Sequence, residues 1–141
     1  MKTKKKIVDL KKELTRLFNK KVRLRDTNFD DSLIRQGKCI SCDNYVAFGA
    51  ANCHAGHYVP AGNSTRLKWE DDNVNVQCCT CNTWKRGNPH EYRKGMIEKY
   101  GEEREREIWA MRHEIMKPDR EWLEKKIEEN KLEIINLSNF K

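Results

Sequence analysis

Two Cys-x-x-Cys pairs near the middle of the chain have the residue types and spacing of a metal site. The first pair is Cys39 and Cys42, and the second is Cys78 and Cys81. A structural zinc ion takes four nitrogen or sulfur ligands in a tetrahedron, and each Cys-x-x-Cys turn presents two thiolates to one side of the ion. The four cysteines therefore predict a closed zinc site. Such a site has no open coordination position, so we expect it to stabilise the fold rather than to react.

Two further cysteines, Cys53 and Cys79, fall outside this predicted zinc site. Cys79 could replace Cys78 as a ligand, but the two-residue spacing to Cys81 favours Cys78. We expect Cys53 to be a small buried residue. A Cys53–Cys79 disulfide is the alternative, and a reducing compartment disfavours it.

Histidine and asparagine residues close to the cysteine pairs could carry out phosphodiester hydrolysis. That reaction needs a base to activate water and a divalent cation to neutralise charge on the leaving oxygen. His57 is the candidate base, because an imidazole titrates near neutral pH. Asn82 directly follows the last zinc cysteine and is a candidate cation ligand. His54, three residues before His57, is a second candidate ligand.

Each of these residues also has a purely structural interpretation. A lone histidine is more often a packed or surface residue than a catalyst, and Asn82 could simply cap a helix. His54 could instead bind the zinc or contact DNA. We expect Asn73 to stabilise its loop through backbone hydrogen bonds, and Asp71 and Asp72 to be loop residues rather than metal ligands. The zinc framework around the histidines is what favours the catalytic interpretation.

The composition limits the class of protein. Of the 141 residues, 37% are hydrophobic and 36% are charged, so we expect a modest core that a metal site would support. No apolar segment follows the basic start of the chain, and no run approaches membrane-spanning length. The expected location is therefore the cytoplasm, where paired cysteines favour metal over disulfide.

Positive charge is concentrated at the start of the chain. Residues 1–25 hold eleven Lys and Arg against two Asp and Glu, a net charge of +9, whereas the whole chain carries +7. A basic arm beside a polar core suggests a polyanionic partner, most simply DNA. A solubilising face is the alternative. The candidate DNA contacts are Lys11, Lys12, Arg16, Lys20, Lys21, Arg23, Arg25, Lys85 and Arg86.

Hydrophobic periodicity predicts the elements that position these residues. Residues 4–20 predict an amphipathic helix, which residues 21–25 either continue or follow as an extended segment. A helical turn over residues 32–36 is expected to end at Gly37. Another helix is expected to begin at Cys81. We expect strands over residues 57–59, 66–69 and 74–76.

Three helices are expected in the last part of the chain. The first starts at Asn88-Pro89, since Asn caps helices and Pro suits the first helical position, and it stops at Gly101. The second runs from about residue 102 to residue 116. Pro118 opens the third, whose apolar stripe is broken by Asn130. This last helix either docks on the body of the protein or pairs with a second copy.

The chain resembles the NinG (Rap) recombination proteins of lambdoid phages and prophages, from about residue 10 to the C-terminal helices. The family is described as structure-specific endonucleases that act on branched recombination intermediates. The core is also similar to endonuclease VII-type junction resolvases, which are dimers and in which two Cys-x-x-Cys pairs flank a catalytic His. The matching pieces are residues 18–26, 39–42, 55–58, 77–78 with 81–82, and 87–88 with 91–93.

Together the elements and the resemblance predict an α+β fold. Its core is a small zinc-stapled ββα-metal unit of the HNH, or His-Me finger, type, flanked by an N-terminal helix and C-terminal helices. We divide the chain into a basic N-terminal helical arm (residues 1–38), the nuclease core (39–101) and C-terminal helices for docking or dimerisation (102–141).

The resemblance implies a divalent-metal-dependent DNA endonuclease. It would cleave Holliday junctions or D-loops in the bacterial host cytoplasm, with structural Zn²⁺, catalytic Mg²⁺ or Mn²⁺, and the catalytic residues His57, Asn82 and His54. Two other functions stay open: a non-catalytic zinc-containing adaptor that binds branched DNA, and an HNH nuclease with a different DNA substrate.

The sequence departs from the related patterns at the acidic residue. HNH enzymes usually carry an acid directly before the catalytic His, where this chain has Gly56, and the NinG pattern has it three residues before, where this chain has His54. A neutral imidazole binds transition metals but is a poor ligand for Mg²⁺. The departure favours Mn²⁺, Co²⁺ or Ni²⁺, and it leaves open weak activity or the entry of another acid such as Glu91.

Overall fold

The fold combines four α-helices with two small antiparallel sheets within residues 3–29 and 33–139, which a computed structural model describes. The predicted α+β class is confirmed, whereas the HNH assignment stays a prediction. No helix in these two ranges is long and apolar enough to cross a membrane. The helices are α1 (Ile7–Arg25), α2 (Pro89–Tyr100), α3 (Glu102–Ala110) and α4 (Arg120–Ser138), and the strands are β1 (Gln36–Lys38), β2 (Tyr45–Ala47), β3 (His54–His57) and β4 (Val74–Gln77).

Helix α1 connects the rest of the fold. Residues 21–25 continue it, and one of its faces packs Phe18 and Val22 against Val74 of the β3–β4 hairpin. A second group of α1 side chains packs against α4. Because α1 packs apolar side chains from Leu10 to Val22 against the hairpin and α4, this part of the helix is docked on the body rather than projecting as a free arm. This second group is Leu10, Leu14 and Leu17, packed against Leu123 and Ile127.

Helix α4 docks on α1, which is one of the two roles expected for it. The helix begins after Asp119, whose carboxylate accepts a hydrogen bond from the Trp122 backbone N–H at 2.8 Å, and not at Pro118. Asn130 is buried, and its amide donates to the Lys126 carbonyl at 2.7 Å. The Asn130 amide is thus bonded within the helix, whereas its buried side-chain oxygen has no hydrogen-bond partner among the described residues. Pairing with a second copy stays a prediction.

The first sheet replaces the helical turn that was expected to end at Gly37. Gly37 lies in the middle of β1, opposite Val46 of β2. A Cβ atom on Gly37 would overlap the Asp26 backbone carbonyl, so a glycine is needed where this strand crosses the end of α1. Ser32, the first residue of the predicted turn, lies outside the described residues.

The second sheet carries the histidines. Strands β3 and β4 pair antiparallel, with His54 opposite Gln77 and His57 opposite Val74. The expected extended segment around residues 74–76 is confirmed, but the strand predicted over residues 57–59 ends at its first residue. Both candidate histidines therefore lie on one strand, at its two ends.

Asn73 explains why β3 ends at His57. Its backbone carbonyl accepts from Tyr58 N–H at 2.8 Å, and its side-chain oxygen accepts from Val59 N–H at 2.9 Å. The Asn73 amide also donates to the carbonyls of Val59 and Leu67, at 3.0 and 3.1 Å. These bonds turn the chain away from the sheet and confirm the loop-stabilising role predicted for Asn73.

Two predicted elements are wrong in the part of the chain that the Ser64 hydroxyl connects. Residues 66–69 form turns instead of a strand, and α3 ends at Ala110 instead of near residue 116. Ser64 donates to the carbonyls of Met111 and Glu114 at 3.0 and 2.9 Å. These bonds hold the segment after α3 against the turns, and such long-range contacts are not specified by local periodicity.

The helix predicted from Cys81 is a single π-helical turn, Thr80–Trp84. Helix α2 then begins at Pro89 and stops at Gly101, the residue after its last one, Tyr100. The φ of 91° at Gly101 favours glycine, as predicted. Asn88 does not cap α2 with its side chain. Its amide instead donates to the Cys81 sulfur at 3.5 Å.

Candidate functional site

The four predicted zinc ligands meet in one cluster. The Sγ atoms of Cys39, Cys42, Cys78 and Cys81 all lie within 4.8 Å of one another, and those of Cys42 and Cys78 are 3.7 Å apart. Zinc–sulfur bonds of about 2.3 Å in a tetrahedron require sulfur–sulfur distances of about 3.8 Å. The donor set therefore fits a structural metal ion such as zinc, which would join the β1–β2 turn to the end of β4.

Hydrogen-bond donors surround the cysteine sulfurs. The Cys81 backbone N–H points at the Cys78 sulfur at 3.4 Å, and the Asn88 amide points at Cys81. Such outer donors stabilise metal-bound thiolates and orient them. Cys78 directly follows β4, and Cys81 lies in the π-helical turn. A metal ion bound by both would therefore fix the start of that turn.

The remaining cysteines stand apart from this cluster. Cys79, adjacent to Cys78, is not one of the four clustered residues, and Cys53 is buried as expected. Both are free thiols, so the alternative Cys53–Cys79 disulfide is not formed.

The ring of His57 is fixed by a backbone carbonyl. Its Nε2 atom lies 2.9 Å from the carbonyl oxygen of Lys68, which is an acceptor, so Nε2 carries the proton. The Nδ1 lone pair is then free to accept another proton. Burial lowers the pKa of His57, although the Lys68 carbonyl opposes this shift. His57 is thus a neutral acceptor near pH 7, which is the state that a general base needs.

His54 and Asn82, the two predicted cation ligands, are in direct contact. The Nδ2 atom of Asn82 lies 2.9 Å from Nδ1 of His54, while Nε2 of His54 lies 2.9 Å from the Ala51 carbonyl. Ala51 therefore fixes the proton on Nε2, and the Nδ1 lone pair faces Asn82. With its amide reversed, Asn82 would offer an oxygen beside the His54 nitrogen, and these two donors are the ones that could hold a cation. Asn82 lies within the π-helical turn and does not cap a helix.

His57 and Asn82 line the same surface cavity, which has a volume of about 430 Å³. Among the described residues, no carboxylate lines it. Glu91, the alternative acid, instead pairs with Lys94 at 3.2 Å on α2. The cavity thus offers the candidate base His57, the amide of Asn82 and the guanidinium of Arg86, but no carboxylate that could bind a metal ion. Its other lining residues are Ala55, Tyr58, Pro60, Ala61, Arg86, Gly87 and Pro89.

Gly56 stands at the position where HNH nucleases usually carry an acid, and packing explains the glycine. A Cβ atom at this position would overlap Oε1 of Gln77, which is fully buried. The Gln77 amide is held in place because it donates to Ser41 Oγ at 2.8 Å and to the Gly87 carbonyl at 2.9 Å. An acidic side chain could enter at position 56 only if Gln77 moved.

Two residues that the sequence did not single out support the histidine strand. The Tyr92 hydroxyl donates to the Gly56 carbonyl at 2.7 Å and accepts from the Asn75 amide at 3.2 Å. Burial raises the pKa of Tyr92, so the hydroxyl keeps its proton. Tyr92 falls within a segment that carries the family resemblance, which was a usable signal. Lys68 bonds His57 through its backbone carbonyl, which every residue type has, so the sequence could not identify this position.

The predicted DNA-contacting residues separate into exposed and internal groups. Lys12, Arg16 and Lys20 are exposed and recur every four residues, so they lie on one face of α1. Lys11 and Arg23 are half-buried. Lys85 and Arg86 are exposed next to the candidate cavity. These cations are placed where a polyanion could reach them.

Lys21 and Arg25 are internal structural residues, which argues against their predicted DNA contacts. Lys21 is only 3% exposed and forms an ion pair with Asp71. Arg25 pairs with Asp26 at 2.7 Å and donates to the Val74 carbonyl at 2.7 Å. Both therefore tie α1 to the β3–β4 hairpin.

The fold and the site define a small α+β protein with a four-cysteine cluster suited to a structural metal ion. The sequence matches the family described as "Bacteriophage Lambda NinG protein" over residues 1–139, and the chain belongs to that family.

Curated relatives carry the name "Protein ninG". The proteins of Escherichia phage lambda and Escherichia phage 933W are each 36% identical over 70 residues, which is 50% of this chain and 33% of each relative. The protein of Salmonella phage P22 is 36% identical over 63 residues, which is 45% of this chain and 30% of that protein. The matched segment thus spans about a third of each relative. No solved structure matches the chain.

Proposed function

We propose that this chain is a divalent-metal-dependent DNA endonuclease that hydrolyses phosphodiester bonds in branched recombination intermediates such as Holliday junctions and D-loops. The observation that carries the proposal is the hydrogen bond from His57 Nε2 to the Lys68 carbonyl. It leaves Nδ1 as a proton acceptor on a residue that lines the same cavity as Asn82. The resemblance to phage recombination proteins supplies the substrate class and the host cytoplasm as the place of action.

In this mechanism His57 removes a proton from the attacking water. The imidazolium that forms keeps its Nε2–H bond to the Lys68 carbonyl, which partly offsets the cost of a buried charge. Arg86 lines the same cavity and would contact the phosphate. A divalent cation held by His54 and Asn82 would neutralise charge on the leaving oxygen.

The donor set gives an expectation for the catalytic cation. His54 offers an imidazole nitrogen where related proteins offer a carboxylate. Mg²⁺ prefers oxygen ligands, whereas Mn²⁺ and Co²⁺ also accept imidazole. Of the two expected cations, Mg²⁺ and Mn²⁺, the site therefore favours Mn²⁺.

A non-catalytic adaptor for branched DNA is the second candidate function. The observation that favours it is the lack of a carboxylate among the described residues that line the cavity. In that case the exposed cations of α1 would supply DNA affinity, and the zinc cluster would only stabilise the fold.

A cation-dependent cleavage panel tests the proposal. Four-way, flap and continuous duplex DNA would each be incubated with the purified protein and Mg²⁺, Mn²⁺ or Co²⁺. The same panel would be run with His57→Ala and with His113→Ala, a matched control because His113 is exposed and does not line the cavity.

The endonuclease proposal expects cleavage of the four-way junction by the wild type and by His113→Ala. His57→Ala should lose cleavage but keep junction binding and metal content. Undiminished cleavage by His57→Ala would remove His57 from the mechanism. Junction binding without cleavage under every cation would favour the adaptor, and preferential cutting of flap or duplex would indicate a nuclease with another substrate.

A further inference from the structure

Trp84 is the most unusual side chain on the surface near the candidate cavity. Its indole is 79% exposed, whereas Trp109 is 45% exposed, and Trp69 and Trp122 are partly buried and contact each other with tilted rings. Tryptophan normally buries most of its large apolar surface. Neither the zinc cluster nor the catalytic proposal uses this residue, so the exposed indole calls for a separate function.

The backbone around Trp84 is held firmly. Asn82 N–H donates to the Cys78 carbonyl at 3.0 Å, and Lys85 N–H donates to the Thr80 carbonyl at 2.8 Å. The turn that carries Trp84 begins between two of the clustered cysteines. Because hydrogen bonds fix this turn, the Trp84 side chain is held at a defined place on the surface, as expected for a residue that contacts a binding partner.

The charges beside Trp84 indicate what it contacts. Lys85 and Arg86 follow it directly and are both exposed, and Arg86 also lines the cavity that holds His57. An exposed indole followed by two exposed cations matches nucleic acid, which offers aromatic bases beside charged phosphates. Stacking of a base on an aromatic side chain contributes about 1–3 kcal/mol.

We propose that Trp84 stacks on a base exposed at a DNA branch point, while Lys85 and Arg86 bind the adjoining phosphates. This inference rests on the proposed function, because it takes DNA as the substrate. Bases inside a continuous duplex are already stacked on their neighbours, whereas bases at a junction or in a single strand have a free face. Trp84 would thus select branched DNA and set the scissile phosphate beside His57.

Binding measured without turnover tests this proposal independently of cleavage. Dissociation constants for a four-way junction, a single-stranded oligonucleotide and a continuous duplex would be measured on the zinc-loaded protein without added Mg²⁺, Mn²⁺ or Co²⁺. The proteins are the wild type, Trp84→Ala, Trp84→Phe and Tyr45→Ala. Tyr45 is a matched control, since it is an aromatic residue on β2 that is 65% exposed.

Trp84→Ala should weaken junction and single-strand binding roughly ten- to hundredfold, as the loss of one stacked base predicts. Trp84→Phe should keep most of the affinity, and Tyr45→Ala all of it. Duplex binding should change by less than about twofold, because Lys85 and Arg86 are retained. Junction DNA should also quench the tryptophan emission of the wild type, and this quenching should be lost in Trp84→Phe.

Equal weakening of junction and duplex binding by Trp84→Ala would overturn the stacking role. Unchanged binding to all three DNAs would also overturn it, and would point to a protein partner for the indole. Metal content and thermal unfolding of Trp84→Ala should match the wild type, which excludes misfolding. A protein that never cleaves, but whose junction binding depends on Trp84, would refute the endonuclease proposal while supporting this one.

Discussion

His54 Nδ1 lies 2.9 Å from Asn82 Nδ2, although 28 residues separate the two along the chain. Strand β3 presents the histidine, and the π-helical turn that contains Cys81 presents the asparagine. Because Cys81 belongs to the four-cysteine cluster, a structural metal would fix the distance between the two side chains. The four-cysteine cluster and the candidate cation site are therefore structurally coupled.

Replacing the imidazole at this contact should change the cation preference. His54→Asp supplies the oxygen ligand that Mg²⁺ prefers, so we expect junction cleavage with Mg²⁺ to rise relative to cleavage with Mn²⁺. His54→Ala should lower cleavage with both cations. The measurement is the initial cleavage rate as a function of each cation concentration, and an unchanged preference in His54→Asp would argue against His54 as a ligand.

The pH dependence of cleavage should reflect the lowered pKa of His57. A general base acts in its unprotonated form, and burial moves the pKa of His57 below its ordinary value of 6.5. The acid limb of the kcat/KM profile should therefore lie below pH 6.5, with a plateau near neutral pH. A limb above 6.5 would contradict this expectation. Imidazole NMR should show the proton on Nε2, as the Lys68 contact requires.

Loss of one clustered cysteine should abolish metal binding and unfold the core. Cys78→Ser should lower the metal content to near zero, with a loss of folding free energy on the order of 10 kcal/mol. Cys79→Ser is the matched control, because Cys79 is adjacent in sequence but outside the cluster. Metal analysis and thermal unfolding measure both effects. Equal losses in the two variants would contradict the assignment of Cys78.

Exposed and internal lysines of α1 should behave differently. Lys12→Ala should weaken DNA binding and reduce the slope of log affinity against log salt by about 0.9, as the loss of one phosphate contact predicts. Lys21→Ala should leave that slope unchanged but lower the free energy of unfolding by about 2 kcal/mol, since it breaks a charged hydrogen bond to Asp71. Salt titrations and chemical denaturation separate the two effects.

The spacing of residues in the sequence was sufficient to predict the local structural features. Two Cys-x-x-Cys pairs identified the cysteine cluster, helical periodicity identified α1, and Gly101 correctly marked the end of α2. These features depend on a few neighbouring residues. A two-residue spacing fixes how a turn presents its thiolates, and a left-handed backbone position favours glycine wherever the rest of the fold lies.

Only the tertiary structure decided which side chains meet. Lys21 and Lys12 are the same residue type on one helix, yet one is buried against Asp71 and the other is exposed. The proton position on His57 depends on a backbone carbonyl eleven residues away. The sequence by itself determined the cysteine pairs, the basic first helix and the candidate histidines. Packing alone determined the His54–Asn82 contact, the closed space at Gly56 and the exposure of Trp84, because burial and long-range hydrogen bonds depend on neighbours that local spacing does not specify.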